Sequence, residues 1–155
     1  MDLFRPNVAA ILRKRKTGLI LICQRKDHTN SWQFPQGGVD EGEDLIAALY
    51  REVKEEVGIP SRQYTLRSCR TGYRYTFPDG HLKKGQFRGQ EQTYFLCDYR
   101  GKKSDIILDG QEFIRYKWIE PKEFDISWVP DFKKPVFRQL FHDFFRINLT
   151  SEPDY

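Results

Sequence analysis

Gly37-Gly38-Val39-Asp40-Glu41-Gly42-Glu43-Asp44-Leu45-Ile46-Ala47-Ala48-Leu49-Tyr50-Arg51-Glu52-Val53-Lys54-Glu55-Glu56-Val57-Gly58-Ile59 reads as a glycine-rich loop running into one amphipathic helix. The periodic part, from about Gly42 to Val57, predicts the helix, with Gly58 as its C′ residue and Pro60 as a stop. At about 100° per residue, Leu45, Ile46, Leu49, Tyr50, Val53 and Val57 form one apolar stripe that should face a core. Glu52, Glu55 and Glu56 fall together on an adjacent arc. Like charges at this spacing destabilise an isolated helix by roughly 0.2–0.5 kcal/mol per pair. Lys54 points elsewhere, and Arg51, one turn before Glu55, can help only one side. A solvated acidic face is the ordinary explanation of such a run. Against it, these carboxylates border the apolar stripe instead of opposing it. A divalent cation would turn their repulsion into ligation, because hard cations take carboxylate and phosphate oxygens. Spacing alone leaves both readings open.

Outward from this helix, Asn7–Leu12 and Leu19–Cys23 read as strands joined by a charged turn, hence a hairpin. Ser31-Trp32-Gln33-Phe34-Pro35-Gln36-Gly37-Gly38 reads as a loop. Further strands are expected at Tyr64–Cys69, Tyr73–Phe77, Gln92–Cys97 and Phe113–Ile119, with Phe77-Pro78-Asp79-Gly80 closing a turn. Val136, Phe137, Leu140, Phe141, Phe144 and Phe145 recur at helical spacing within a second helix from about Phe132 to Arg146, which admits Pro135 only near its start. No repeat, linker or low-complexity tract interrupts the chain. A single domain over 1–155 of α+β class follows, with strands layered against two main helices.

Composition bounds the rest. At 155 residues, 39% hydrophobic and 15% aromatic, the chain can bury a core and is too apolar for a disordered one. The net charge of +4 points only weakly to anionic ligands. Cys23, Cys69 and Cys97 are odd in number and widely spaced, which suits free thiols in a reducing cytoplasm and offers no zinc site. No signal peptide or membrane-length apolar run is visible, so Asn148-Leu149-Thr150 reads as a chance sequon. His28, His81 and His142 lack ligand or catalytic spacing, and Trp32 is a candidate core anchor.

The acidic segment resembles the Nudix box, G-x5-E-x7-R-E-U-x-E-E-x-G-U with U aliphatic, and fills every fixed position: Gly37, Glu43, Arg51, Glu52, Val53, Glu55, Glu56, Gly58 and Ile59. The resemblance implies an α/β/α sandwich with a mixed sheet between helices, and a metal-dependent hydrolase of nucleoside diphosphate-linked compounds. It implies that Glu52, Glu55 and Glu56 hold Mg²⁺ or Mn²⁺, that Glu43, Arg51 and Gly58 shape the motif, and that Gly37 lends a backbone contact. Cations neutralise phosphoryl charge and lower the pKa of bound water, and a carboxylate then takes the proton. Glu52 and Glu112 are both candidates for that base.

Phe4-Arg5-Pro6-Asn7-Val8, Ser31–Gly38 and Gln111-Glu112-Phe113 with Trp118 are similar to the bacterial RNA pyrophosphohydrolases and related dinucleoside polyphosphate hydrolases. This resemblance makes Glu112 a further metal ligand, Arg5, Arg25 and Lys26 phosphate or nucleotide contacts, and Phe132 a residue against the first bases. Pro130 departs from the aliphatic residue usual in that subgroup. In Tyr73-Arg74-Tyr75, the two tyrosines share a strand face and could stack bases, while Lys83, Lys84 and Arg88 add positive charge in one loop. For each of these, an ordinary sheet tyrosine or a solvated lysine is the competing reading. The expected substrate is 5′-triphosphorylated RNA, with diadenosine tetraphosphate as the alternative. A nucleotide-pool or sugar-nucleotide hydrolase and a non-catalytic nucleotide sensor remain behind it. No membrane partner is expected, and a homo-oligomer is left open.

Overall fold

The computed structural model describes residues 3–102 and 105–149. Met1, Asp2 and Thr150 of the sequon lie outside them. The elements are β1 (Phe4–Lys14), β2 (Ile20–Arg25), β3 (Trp32–Gln33), β4 (Gln36–Gly38), α1 (Leu45–Val57), β5 (Tyr64–Thr76), β6 (Gly89–Tyr99), β7 (Phe113–Ile119) and α2 (Lys134–Phe145).

The strands form one mixed sheet in the order β3-β2-β1-β6-β5, with β4 added to β1 and β7 to β2. Strand β1 is buried on both faces, and its residues alternate between two cores. Val8, Ala10 and Leu12 meet Ala48, Leu49, Val53 and Val57 of α1. Ala9 and Ile11 meet the other core, built on Val136, Phe137, Leu140 and Phe141 of α2. Strand β2 divides likewise, Leu21 and Cys23 toward α1, Ile20 and Ile22 toward α2. The period of two therefore sorts one apolar run onto both faces, and the α/β/α layering follows.

Several expectations are corrected. The β1–β2 hairpin is reduced to one residue pair, Arg13 with Ile20. The long partner of β1 is β6, parallel from Phe4/Gly89 to Lys14/Tyr99, while β2 pairs mainly with β7. Tyr64–Cys69 and Tyr73–Phe77 are one strand, β5, which absorbs Gly72 in an irregular stretch of its pairing with β6. The Ser31–Gly38 loop contains β3 and β4, because β2 and β1 offer free edges to it. Helix α1 starts at Leu45, where the Asp44 side chain accepts from the Ala47 N–H and caps it. Its stripe is narrower than expected: Leu45, Ile46 and Tyr50 are exposed. The buried line passes instead through Ala48, Leu49, Val53, Glu56 and Val57. Residues 131–133 form a short 3₁₀ turn before α2, and Pro135 sits in the first turn, where its missing N–H costs nothing. The three cysteines are free, and among the described residues no helix is long and apolar enough to cross a membrane.

Candidate active site

Strand β4 and helix α1 hold the acidic cluster. Gly58, at φ 73, ends α1 in the left-handed conformation and returns its N–H to the Lys54 carbonyl. Glu56 lies in the buried arc of the helix, only 4% exposed, and accepts the Gln36 N–H of β4 at 2.8 Å. A second carboxylate reaches it from another segment of the chain: Glu112, just before β7, lies within hydrogen-bonding reach of Glu56. Burial, the Glu112 contact and the Glu52 charge push the Glu56 carboxyl up to about 11. Two carboxylates can share a hydrogen bond only if one carries a proton. Glu52, also raised by burial, sits beside Gly37 so closely that a side chain there would collide with its carboxylate.

Arg51 ties this cluster to the preceding loop. Its guanidinium donates to both Glu43 oxygens at 2.8 and 2.9 Å, to the Gly38 carbonyl at 3.0 Å and to Glu52 at 2.7 Å. The fork holds the Glu43 carboxyl down at about 2. Glu55 is more exposed, stands 3.7 Å from Arg51 and lies within electrostatic reach of Glu52.

These residues fit a divalent cation. Glu56 is a buried carboxyl with no salt-bridge partner among the described residues, and Glu52 and Glu112 add charge of the same sign. Among the described residues no three His, Cys, Asp or Glu side chains are already gathered closely enough to hold a metal ion by themselves. Partial ligation suits Mg²⁺, which keeps waters and takes substrate phosphates.

Cationic side chains gather within electrostatic reach of Glu112. The Arg5 guanidinium lies against Gly38, where a side chain would strike it. Arg25 is gripped by Asp27 in two bonds of 2.7 and 2.8 Å and reaches Glu112 and Glu56 electrostatically. Arg25, Phe132 and Lys133 line a cleft of about 390 Å³ with Ser31, Gln33 and Trp128. Phe132 packs on Tyr75 at 5.5 Å. Lys26 is exposed, and its N–H donates to the Glu112 carbonyl at 2.8 Å.

Tyr73 and Tyr75 share a face as expected, but both are 6% exposed. The structure removes Tyr73 from the base-stacking candidates: its ring packs on Tyr94 in the core beneath α2, and its hydroxyl donates to Asp143 at 2.7 Å. Tyr75 is covered by Phe77 and Phe132, so it backs the cleft. Trp32 is half-buried against Trp128 and under the Lys117 ammonium.

Three contributors escape sequence reasoning. Asp109 accepts the N–H groups of Gln111, Glu112 and Phe113 and so builds the Glu112 loop; the Asp109-Gly110 turn pair was its only signal. Asn7 bonds Gln36 at 2.7 Å and Gln92 at 3.0 Å, steadying the strand that grips Glu56. Lys133, half-buried over the rings of Tyr75 and Phe132, is lowered to about 8 by desolvation and by Arg25 and Lys83.

Comparison with known proteins places this geometry in a family. The chain is 37% identical over 150 residues to an RNA pyrophosphohydrolase of Novosphingobium aromaticivorans, covering 91% of this chain and 92% of that protein. It is likewise 37% identical over 153 residues to an RNA pyrophosphohydrolase of Erythrobacter litoralis, covering 92% of each. Its fold matches the E. coli dihydroneopterin triphosphate pyrophosphohydrolase (TM-score 0.69, 24% identity, 92% of this chain and 99% of that one). It also matches a C. elegans Ap4A hydrolase (TM-score 0.64, 21% identity, 91% and 99%). The NUDIX domain model matches residues 3–140, so the glutamates clustered on α1 and the chain that carries them belong to the Nudix family.

Proposed function

We infer that the protein is a metal-dependent RNA 5′-pyrophosphohydrolase, converting 5′-triphosphorylated RNA and water to 5′-monophosphorylated RNA and pyrophosphate. The observation that carries phosphoanhydride chemistry is the buried Glu56 carboxylate against Glu112, with Glu52 alongside and cations facing them. RNA as the substrate is supported by the relatives' names over nine-tenths of both chains.

Glu52, Glu55, Glu56 and Glu112 would hold Mg²⁺ or Mn²⁺, with the Gly37 backbone beside them. The bound cation neutralises phosphoryl charge and activates a water. The chain's own residues supply placement. Arg51 fixes Glu52 and the Gly38 carbonyl to the Glu43 loop. Arg5, Arg25 and Lys133 attract the polyphosphate, with Lys26 at the rim. Phe132 offers a ring face to a base beside Arg25. The proton of the attacking water passes to Glu52 or Glu112, and separate Gln variants assign it.

The test compares 5′-triphosphorylated RNA with diadenosine tetraphosphate at matched concentrations in Mg²⁺ or Mn²⁺, with Glu56→Gln as control. Faster RNA conversion, reduced by several orders of magnitude in Glu56→Gln, supports the reading. Faster dinucleotide cleavage moves the protein to dinucleoside polyphosphates. Metal-independent binding without turnover makes it a nucleotide sensor.

A further inference from the structure

We propose that Lys83 is a substrate-contacting residue whose ammonium binds the polyphosphate opposite the Glu52, Glu56 and Glu112 carboxylates, presented there by a miniature hairpin in the β5–β6 connection. The proposal rests on the phosphoanhydride reading and names a residue of that site which the Nudix box does not contain.

The hairpin is built for placement. Phe77 N–H bonds the Arg88 carbonyl at 2.8 Å and closes the base of the connection. Inside it, Lys83 and Phe87 exchange backbone hydrogen bonds of 2.8 and 3.0 Å. The tip turns through Lys84 at φ 54 and Gly85 at φ 70. A non-glycine residue in that region costs about 1–2 kcal/mol, so the loop maintains a strained tip to keep this turn. Residues on either side then differ in fate: Lys84 is exposed, whereas Lys83 is half-buried.

The surroundings of Lys83 call for an anion. Its charge lies within electrostatic reach of Arg5, Arg25 and Glu112, and Lys133 in turn feels Lys83 and Arg25. Burial, then the Arg5 charge, push the Lys83 ammonium below its ordinary range. Of these four cations only Arg25 has a salt-bridge partner among the described residues, Asp27. Half-buried charge of one sign is costly unless something neutralises it. Glu112 faces them but is engaged with Glu56. An anion carrying several charges in a row satisfies both sides, with divalent cations toward the carboxylates and ammonium groups toward the hairpin. A lysine serves here as a compact point charge on phosphate oxygens. Its half-burial within electrostatic reach of Arg5, Arg25 and Glu112 makes the polyphosphate its target, and not the body of an RNA strand.

The experiment measures steady-state kinetics of Lys83→Met, Lys83→Arg and Lys84→Gly with a 5′-triphosphorylated dinucleotide and with a long 5′-triphosphorylated RNA. Binding of inorganic tripolyphosphate is measured by calorimetry alongside. The expected result is a loss of ~10–100-fold in kcat/KM for Lys83→Met on both substrates, carried by KM, as for a lost hydrogen bond to a charged group. Tripolyphosphate affinity falls in parallel, Lys83→Arg recovers part of it, and Lys84→Gly behaves as wild type. Three results overturn the proposal: unchanged KM in Lys83→Met, a defect confined to the long RNA, or an equal defect in Lys84→Gly. If Lys83→Met does not fold, Lys83→Gln takes its place in the same comparison. A wild-type enzyme that cleaves these substrates, with Glu56→Gln inactive and Lys83→Met normal, overturns the Lys83 proposal alone. Failure of the wild type to cleave any of them overturns the functional reading, and calorimetry then decides Lys83 separately.

Discussion

Replacing Glu56 with glutamine should stabilise the metal-free protein, and by an amount that grows with pH. In the unfolded chain this carboxyl titrates near 4.5, whereas in the fold it is pushed up to about 11 by burial and by Glu112. Folding therefore takes up a proton at any pH between the two values. The sign follows from linkage: a group whose folded pKa is raised contributes full stability only below its unfolded pKa and loses it as pH rises through the window. Each pH unit costs about 1.4 kcal/mol, so at pH 7 the penalty is roughly 3 kcal/mol, and it continues to grow until the folded group ionises. Glutamine keeps a carbonyl oxygen for the Gln36 N–H and carries no such penalty. Urea denaturation in EDTA from pH 5 to 9 should show a falling stability for wild type and a much flatter one for Glu56→Gln. Mg²⁺ should narrow the difference by binding the ionised wild-type site, with a midpoint shift that increases with pH. Parallel pH profiles for the two proteins in EDTA would refute the reasoning, because Glu56 would then not be held protonated.

Other perturbations probe the frame around that carboxylate. Arg51→Lys keeps the charge but loses the fork that spans Glu43, Glu52 and the Gly38 carbonyl; kcat/KM should fall at least about tenfold, as expected when a bidentate site is given a point charge. Gly58→Ala places a side chain at φ 73 against the Ile107 backbone carbonyl; it should cost about 1–2 kcal/mol or more in denaturation while leaving kcat of the folded enzyme near wild type. Lys133, lowered to about 8, loses its charge as pH rises through that value. KM for a triphosphate substrate should rise above it, and Lys133→Arg should remove the rise, as read from pH profiles of KM.

What was legible in the chain was what is local. The C-terminal end of α1 at Gly58, the span of β7 and the turn at Pro78–Gly80 depend on nearby residues, and structure and sequence agree there. The parallel pairing of β1 with β6 was hidden because it joins residues about half the chain apart, and no periodicity encodes a partner. Strands β3 and β4 were hidden for a related reason: their Pro and Gly content reads as loop, and only the free edges of β1 and β2 draw them into the sheet. Motif spacing placed the three helical glutamates on one arc but could not tell that Glu56 would be buried, Glu52 half-buried and Glu55 exposed. That depends on where the sheet ends beneath α1. Lys83 and Lys133 carried no motif, since their significance comes from burial beside other cations.

The two consecutive glycines of β4 explain how one site uses both faces of the sheet. Adjacent strand residues point to opposite sides, and Gly37 and Gly38 pair with Val8 and Asn7 of β1, which divide in the same way. On the α1 side, the missing side chain of Gly37 admits the Glu52 carboxylate; on the α2 side, that of Gly38 admits the Arg5 guanidinium. Any larger residue at either position would drive an acid or a base away from the strand. Carboxylates and guanidinium are thus held to one strip of backbone from opposite faces, close enough for one anionic substrate yet kept from neutralising each other by the strand between them. Arg51, bonded to the Gly38 carbonyl from the α1 side, fixes that strip in place. The glycines and the arginine of the motif therefore share a single geometric task, which is to keep opposite charges near one substrate and apart from one another.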